Sequence, residues 1–423
     1  VGEWSREIKG TALRKHFETT ADFLQDEILR SWSNASVLIK GARKFEFEKI
    51  LKMLEQQKHE TVLEINLSAL THNLNHYKSK LKPGVKLMVM VKAFGYGNGG
   101  EEIARLLEFN KVDYLGVAFA DEGVKLRQAG ITVPIMVLNP ESTAFDEIIQ
   151  YQLEPEIYSF RALNAFAEAT RKVGATAYPV HVKIDTGMHR LGFAPDSVAD
   201  LARELTNVPE LEVRSVLSHL AASDDLNERS FTEQQIERFL QATEVLQKQL
   251  SKKFYRHILN TSGLINYPEA QFEMVRLGIG LYGLASSDEE QNQLETVGTL
   301  KSIISQIHEL QAGETVGYNR RFKAKEKTSI ATIPIGYADG IPRFWGNGNG
   351  YVIIHEQPAP IVGSVCMDML MVDVSAIACR EGDAVIVFGK RPTVQEIAKA
   401  GSTISYEILT GISQRVKRIF FRE

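Results

Sequence analysis

The sequence predicts an α/β chain built on a (β/α)8 TIM-type barrel, followed by a mostly β C-terminal domain and preceded by a short α/β piece. Two observations carry this prediction. Between about residue 62 and residue 295, eight short apolar runs alternate with amphipathic helical patterns. From about residue 296 the helical period fades, and short β-type runs broken by Gly, Pro and Asp replace it. The expected division is 1–57, 61–295 and 296–423. An open doubly wound sheet is the other architecture that the alternation allows.

The eight runs are 86–92, 114–119, 134–138, 154–158, 179–184, 213–218, 256–259 and 272–276. Each has the length of a strand. Apolar runs without alternation suit parallel strands covered on both faces. Helical patterns at Gly100–Phe109, Ala120–Ala129 and Glu233–Leu250 supply such cover. In the C-terminal part, strands are expected at Val316, Ile330–Ile335, Tyr351–His355, Pro360–Val365, Leu370–Val374 and Ala384–Phe388, with a helix near Val394–Lys399. At the N-terminal end, Ser36–Lys40 reads as a strand before Gly41, and Phe47, Ile50, Leu51 and Leu54 as one face of a helix. This piece is too short for a complete α/β domain and resembles the tail of one. The polar stretch Gln56–Glu60 is the expected linker.

Composition bounds the function. With a net charge of -4 and no dominant Lys/Arg stripe, no nucleic-acid partner is expected. The longest apolar runs are strand-sized, so no membrane span is expected, and no signal peptide is visible. Two cysteines, Cys366 and Cys379, make no disulfide framework and fit a reducing, cytoplasmic setting. The first residue, Val1, is not Met, and a longer parent polypeptide is expected.

In barrels of this kind chemistry sits at the carboxyl ends of the strands. Those ends carry Lys92, then Lys183 and Asp185, then His219, then Asn260-Thr261-Ser262-Gly263, then Arg276 with Gly278-Ile279-Gly280. Lys92 closes an apolar run and precedes Gly95, Gly97 and Gly99, which permit a sharp turn and close approach to a ligand. Partial burial there disfavours the ammonium form and suits a Schiff-base lysine. The hydroxyls of Thr261 and Ser262 and the backbone amides near Gly278 and Ile279 would cradle a phosphate where barrels commonly bind one. A lysine at one end and a phosphate at the other imply pyridoxal 5′-phosphate (PLP), and no metal is expected. Arg276 cannot accept a proton, so it would leave the pyridine nitrogen unprotonated. That arrangement favours prompt reprotonation at Cα over transamination or elimination. Taken singly, each feature also fits a plain role: a surface lysine, ordinary turns, a structural arginine.

Taken together, the residues carry a resemblance. From about residue 60 to 423 the chain resembles the bacterial alanine racemases, fold-type III PLP enzymes. The matching stretches are VKAFGYGNG (91–99), HVKIDTGMHRLGF (181–193), SHLAASD (218–224), LNTSG (259–263), RLGIGLYG (276–283), GETVGY (313–318), IPIGYADGIPR (333–343), GSVCMDMLMVDV (363–374) and ISYEILTGISQRVKR (404–418). The resemblance implies a homodimer that interconverts L- and D-alanine by a two-base mechanism, supplying D-alanine for peptidoglycan. Lys92 would carry the cofactor and act as one base. Tyr318, supplied by the neighbouring subunit, would be the other. His219 would link Tyr318 to Arg276. Tyr96, Thr261, Gly278, Ile279 and Tyr406 would bind the phosphate, with Asn260 beside them. Arg190 and the backbone near Met367 would hold the substrate carboxylate. Tyr337 and Tyr406 would narrow the entrance to a methyl-sized side chain. Lys183 matches a lysine often carbamylated in the family.

The chain departs from the family's usual pattern at Phe94-Gly95, Asn98, Thr261, Leu277 and Gly317. None of these removes a base, and Thr261 keeps a hydroxyl. The stretch SVLIKGARKFEFEKILKML (36–54) resembles the closing segment of the Mur ligase that adds D-alanyl-D-alanine. That implies a ligase remnant fused to a racemase. With no G-x-x-x-x-G-K-[ST] loop in the chain, no ligase activity is expected. Alternatives are a racemase for serine or a broader set of amino acids, a basic amino-acid decarboxylase, and a non-catalytic PLP-binding regulator. Arg276 argues against the decarboxylase and the β domain against the regulator.

Overall fold

In a computed structural model of the chain, residues 60–250 and 252–422 are described, together with 15, 17–24, 26, 39 and 50. The chain divides into two compact units, Val1–Glu60 and Thr61–Glu423. In the first, a short helix spans Thr20–Leu24. Asp22 Oδ2 accepts from the Thr19 amide and hydroxyl at 3.1 and 2.7 Å, and Thr19 Oγ1 accepts from the Asp22 amide at 3.1 Å, so the helix start is capped. Apart from Ile39 and Ile50, the expected strand 36–40 and helix 47–54 lie outside the described residues.

The second unit opens with β1 (Val62–Asn66) and continues with eight strands: β2 (Lys86–Met90), β3 (Tyr114–Val117), β4 (Ile135–Val137), β5 (Glu154–Ile157), β6 (Tyr178–Lys183), β7 (Leu211–Leu217), β8 (Tyr255–His257) and β9 (Met274–Leu277). These eight pair in the order β8-β7-β6-β5-β4-β3-β2-β9, and every pair is parallel. Between β8 and β9 the Arg276 amide donates to the Leu259 carbonyl at 3.1 Å, which brings the sheet near to closure. The expected barrel is present, and each expected run overlaps its strand. Helices between strands bury a single face. Val198–Thr206 buries Val198, Leu201, Ala202 and Leu205, the i, i+3, i+4, i+7 stripe of an amphipathic helix.

The remaining strands are β10 (Gly298–Ile303), β11 (Gln306–Leu310), β12 (Thr315–Val316), β13 (Phe322–Lys323), β14 (Thr328–Ile333), β15 (Tyr351–Ile354), β16 (Gln357–Val362), β17 (Leu370–Asp373), β18 (Ala384–Phe388) and β19 (Lys417–Phe421). β12 and β13 form a two-stranded ribbon, and the others join a nine-stranded sheet, β11-β14-β17-β16-β15-β18-β10-β1-β19. The expected helix runs Val394–Ala400 and starts with a capping box between Thr393 and Glu396.

β1 differs from the sequence expectation. The division at residue 61 groups it with the barrel, yet it pairs antiparallel with β10 and parallel with β19. Its burial explains this: Leu63 and Ile65 are buried while Glu64 and Asn66 are half-buried, the alternation of a strand with one wet face. Barrel strands β2 to β5 lack that alternation. Among the described residues no helix is long and apolar enough to cross a membrane.

Sheet and barrel meet at the turn after β2. A Cβ at Gly97, where φ is +80°, would lie 2.2 Å from the Leu409 carbonyl oxygen, so only glycine fits. Arg418 on β19 donates from Nε to the Gly97 carbonyl at 2.9 Å, and its Nη atoms reach the carbonyls of Ser413, Val416 and Ile412 at 2.6, 2.6 and 2.8 Å. The last strand thus clamps the turn that carries Lys92.

Candidate active site

A cavity of about 320 Å³ opens at the carboxyl end of the barrel, and Lys92, Lys183, Arg190, His219, Arg276 and Tyr406 are among its lining residues. Lys92 stands where β2 ends. Ala93, Phe94, Gly95 and Tyr96 all have φ between +52° and +58°, so three residues with side chains hold a left-handed turn. Glu122 pins that turn by accepting from the amides of Ala93 and Ala118 at 2.5 and 2.7 Å. Burial lowers the Lys92 amine below its ordinary range. Arg190, Lys183 and Arg276 push the same way, and only Glu122 opposes them.

Just past β9, the strand paired with β2, the Gly278 amide donates to Thr261 Oγ1 at 2.9 Å. A Cβ on Gly278 would sit 3.1 Å from the Tyr96 hydroxyl and 3.6 Å from Thr261 Oγ1. Glycine therefore leaves an open cradle between two buried hydroxyls. Tyr96 is fixed by rings on two sides, Tyr282 at 4.8 Å and Tyr406 at 5.9 Å between centroids. Asn260 Oδ1 accepts from Ser223 Oγ at 2.8 Å and from the Gly263 amide at 2.9 Å, which sets the strand-to-helix turn bearing Thr261. Ile279 is buried beside this cradle.

Arg276 lies on the floor, 5% exposed. Burial pulls its guanidinium down to about 10, against the pull of Glu156, so it stays charged at neutral pH. Nη1 lies 2.8 Å from His257 Nδ1, and Nη2 lies 3.4 Å from His219 Nδ1. Guanidinium only donates, so both Nδ1 atoms accept. His257 Nε2 then carries its proton toward Ser215 Oγ at 2.8 Å. The Ser215 hydroxyl donates to His181 Nδ1 at 2.6 Å, and His181 Nε2–H donates to Glu154 at 2.8 Å. One proton arrangement satisfies the whole buried chain. Burial, followed by the charge of Arg276, holds both His219 and His257 well below the usual imidazole range, and therefore neutral.

The comparisons agree with this geometry. The family models described as "Alanine racemase, N-terminal domain" and "Alanine racemase, C-terminal domain" match residues 65–286 and 297–420. The alanine racemase of Clostridium tetani is 36% identical over 371 residues, 85% of this chain and 95% of that protein. That of Syntrophobacter fumaroxidans is 38% identical over 360 residues, 83% and 95% of the two chains. The chain belongs to the alanine racemase family. Among solved structures, the alanine racemase of Clostridium difficile 630 superposes with a TM-score of 0.82 at 35% identity, covering 87% of this chain and 97% of that one. The alanine racemase of Bartonella henselae with covalently bound pyridoxal phosphate gives 0.78 at 27% identity, over 86% and 99%.

Alanine racemases are PLP-dependent, and the residues present fit that cofactor. Lys92 supplies the amine, the open side of Gly278 and the hydroxyls of Tyr96 and Thr261 suit a phosphate, and Arg276 lines the same cavity. The cavity brings together Lys92, Tyr96, Lys183, Arg190, His219, Asn260, Thr261, Arg276, Gly278 and Tyr406. It does not bring in Tyr318, Tyr337 or Met367. These are 70%, 42% and 53% exposed on the β domain, where the Tyr337 amide donates to Cys366 O and the Ala338 amide to Met367 O at 2.9 and 3.0 Å.

Sequence reasoning passed over Glu154, Glu156, Ser215 and His257, and gave His181 no role. The signal was there. Glu154 and Glu156 are two apart on β5, as are His181 and Lys183 on β6, so each pair faces one side of its strand. Charged pairs at that spacing in strands covered on both faces point into a polar barrel interior.

Thr261→Ala should weaken PLP binding about tenfold, since it leaves the Gly278 amide without its acceptor and removes a hydroxyl that would contact the phosphate, worth ~1–2 kcal/mol. Titration of the visible absorption checks this, and Thr261→Ser should restore binding.

Proposed function

We propose that this racemase interconverts L- and D-alanine with Lys92 and Tyr318 as bases on opposite faces of the cofactor, Tyr318 coming from a second copy of the chain. The convergence of Lys92, Arg276 and the Gly278 cradle in one cavity carries the reading. The exposure of Tyr318, Tyr337 and Met367 supports a shared site, because these residues present a second half-site away from the cavity of their own chain. When bound, PLP withdraws electrons from the substrate Cα and so acidifies its C–H bond.

The chain's residues do the rest. Lys92, with its amine lowered by burial and nearby cations, gives up a proton more readily than an ordinary lysine. Arg276 keeps a donor, not an acceptor, toward the pyridine nitrogen. His219 accepts from Arg276 at Nδ1, which leaves Nε2–H for the incoming tyrosine. Arg190 binds the substrate carboxylate with the backbone near Met367, and Tyr337 with Tyr406 restricts the side chain to a methyl. Asn260 and Ile279 complete the phosphate site. The half-buried thiols Cys366 and Cys379, both free, support a cytoplasmic location. The N-terminal stretch 36–54 is read as a ligase remnant on its sequence alone.

Purified protein supplied with PLP should absorb in the visible and convert L-alanine to D-alanine faster than it converts L-serine or L-lysine. Failure to convert alanine overturns the reading, and faster conversion of serine moves it to a different racemase.

A further inference from the structure

We propose that Arg415 is a positioning residue of the half-site on the β domain, tying together the two loops that carry Tyr337 and Met367. On the proposed function those two residues serve the site of a second copy, and the role of Arg415 rests on that reading. Arg415 stands in the turn just before β19, and its guanidinium reaches two carboxylates. Nε donates to Asp339 Oδ1 and Nη2 to Asp368 Oδ1, each at 2.7 Å. Asp339 ends the short 3₁₀ turn Tyr337–Asp339, and Asp368 follows Met367 directly.

The two loops already touch through their backbones. A Cβ on Gly336 would lie 2.3 Å from the carbonyl oxygens of both Cys366 and Met367, so only glycine allows that approach. The Tyr337 and Ala338 amides donate to the same two oxygens. Two adjacent bonds resist separation of the loops better than rotation about their common line, and Arg415 supplies a third point of attachment. Asp339 is half of a fixed anchor, since its Oδ2 accepts from the Gly336 amide at 2.8 Å. Asp368 is not anchored: it is 56% exposed, and Arg415 is its one side-chain partner among the described residues.

The arginine itself comes from a fixed segment. The Ser413 amide donates to the Asp339 carbonyl at 3.0 Å, and a Cβ on Gly340, where φ is +107°, would lie 2.4 Å from the Gly411 carbonyl oxygen. Three residues on, Arg418 holds the carbonyls of Ile412, Ser413 and Val416. A planar guanidinium offers its N–H groups in set directions, so gripping two carboxylates sets their separation, which a single ammonium would not. The outer ion pair, with side chains 47% and 56% exposed, adds little stability. Its worth is geometric: it fixes the backbone at Met367, and with it one contact of the substrate carboxylate.

Kinetics of the PLP-loaded enzyme test this. Arg415→Ala should raise the KM for alanine about tenfold and change kcat less, with PLP affinity by visible titration unchanged, because the cofactor's residues lie on the barrel. An unchanged KM overturns the proposal, and so does a loss of PLP affinity that matches the rise in KM. Mixing with Lys92→Ala gives the sharper reading. The hybrid pairs the intact Lys92 of the Arg415→Ala copy with the intact loops of its partner, so a component with the wild-type KM should appear. A mixture that shows only the raised KM places Arg415 in the site of its own chain and overturns its role. The hybrid of Tyr318→Phe with Lys92→Ala tests the shared site by itself: recovery there, beside failure here, refutes Arg415 and leaves the shared site standing. Should Arg415→Ala not fold, Asp368→Asn loosens the outer arm alone, and the same rise in KM is expected of it; an unchanged KM in that variant overturns the proposal.

Discussion

Lys92→Ala should give a protein that stays colourless with PLP and racemises alanine at least ~10⁴-fold more slowly, since it loses covalent attachment and a base together. Lys92 is the one amine at the end of β2, at the mouth of a strained left-handed turn that Glu122 and Arg418 brace. No other lysine of the cavity can replace it, because Lys183 is tied to Glu156. The variant should still fold. The Lys92 amine is lowered in the folded state, so its protonated form is disfavoured by folding at every pH below its unfolded value near 10.4. Removing it therefore relieves a penalty at neutral pH, and the thermal midpoint without cofactor should not fall. A colourless variant with an unchanged midpoint separates loss of chemistry from loss of structure. A variant that racemises normally refutes the assignment of Lys92.

Tyr318→Phe should cost ~10²–10⁴-fold in racemisation, the usual worth of a positioned acid or base. Loss of Cα–H exchange should be greater from L-alanine than from D-alanine, because the proposed two-base mechanism gives the tyrosine one face only. The mixing experiment is sharper. In the proposed dimer, each homodimer of Lys92→Ala or Tyr318→Phe is impaired at both sites. A shared-site hybrid of the two variants pairs the intact Lys92 of one copy with the intact Tyr318 of the other. Random exchange in a two-fold dimer makes half the dimers hybrids with one good site of two, so activity should recover to about a quarter of the wild type. No recovery after verified subunit exchange would place Tyr318 in the site of its own chain, although it is 70% exposed and is not among the residues lining the cavity.

Much of the fold was legible because parallel strands covered on both faces read as apolar runs, as β2, β3, β4 and, apart from Arg276, β9 do. β1 escaped, since five residues cannot show which sheet they will join. Its partners β10 and β19 lie far along the chain, and only their pairing decides the matter. At the site, Lys92, Thr261, Arg276 and Gly278 were readable because each sits at a strand end with local turn chemistry. Glu156 was not. Its meaning depends on Lys183, 27 positions away, and on a register that sets β5 beside β6. The places of Tyr318, Tyr337 and Met367 relative to a second copy are beyond local pattern for the same reason, being a matter of surface and not of spacing.

The brace from Arg418 to Gly97 spans 321 positions of sequence. At ribosomal speeds of about 5–20 residues per second, the turn that bears Lys92 is made roughly 15–60 s before the arginine that steadies it. Until the final strand emerges and lies down beside β1, that turn lacks its outer tether. Synthesis therefore finishes the scaffold first and the grip on the reactive amine last, and a nascent chain stopped short of β19 is left without a firm seat for its aldehyde.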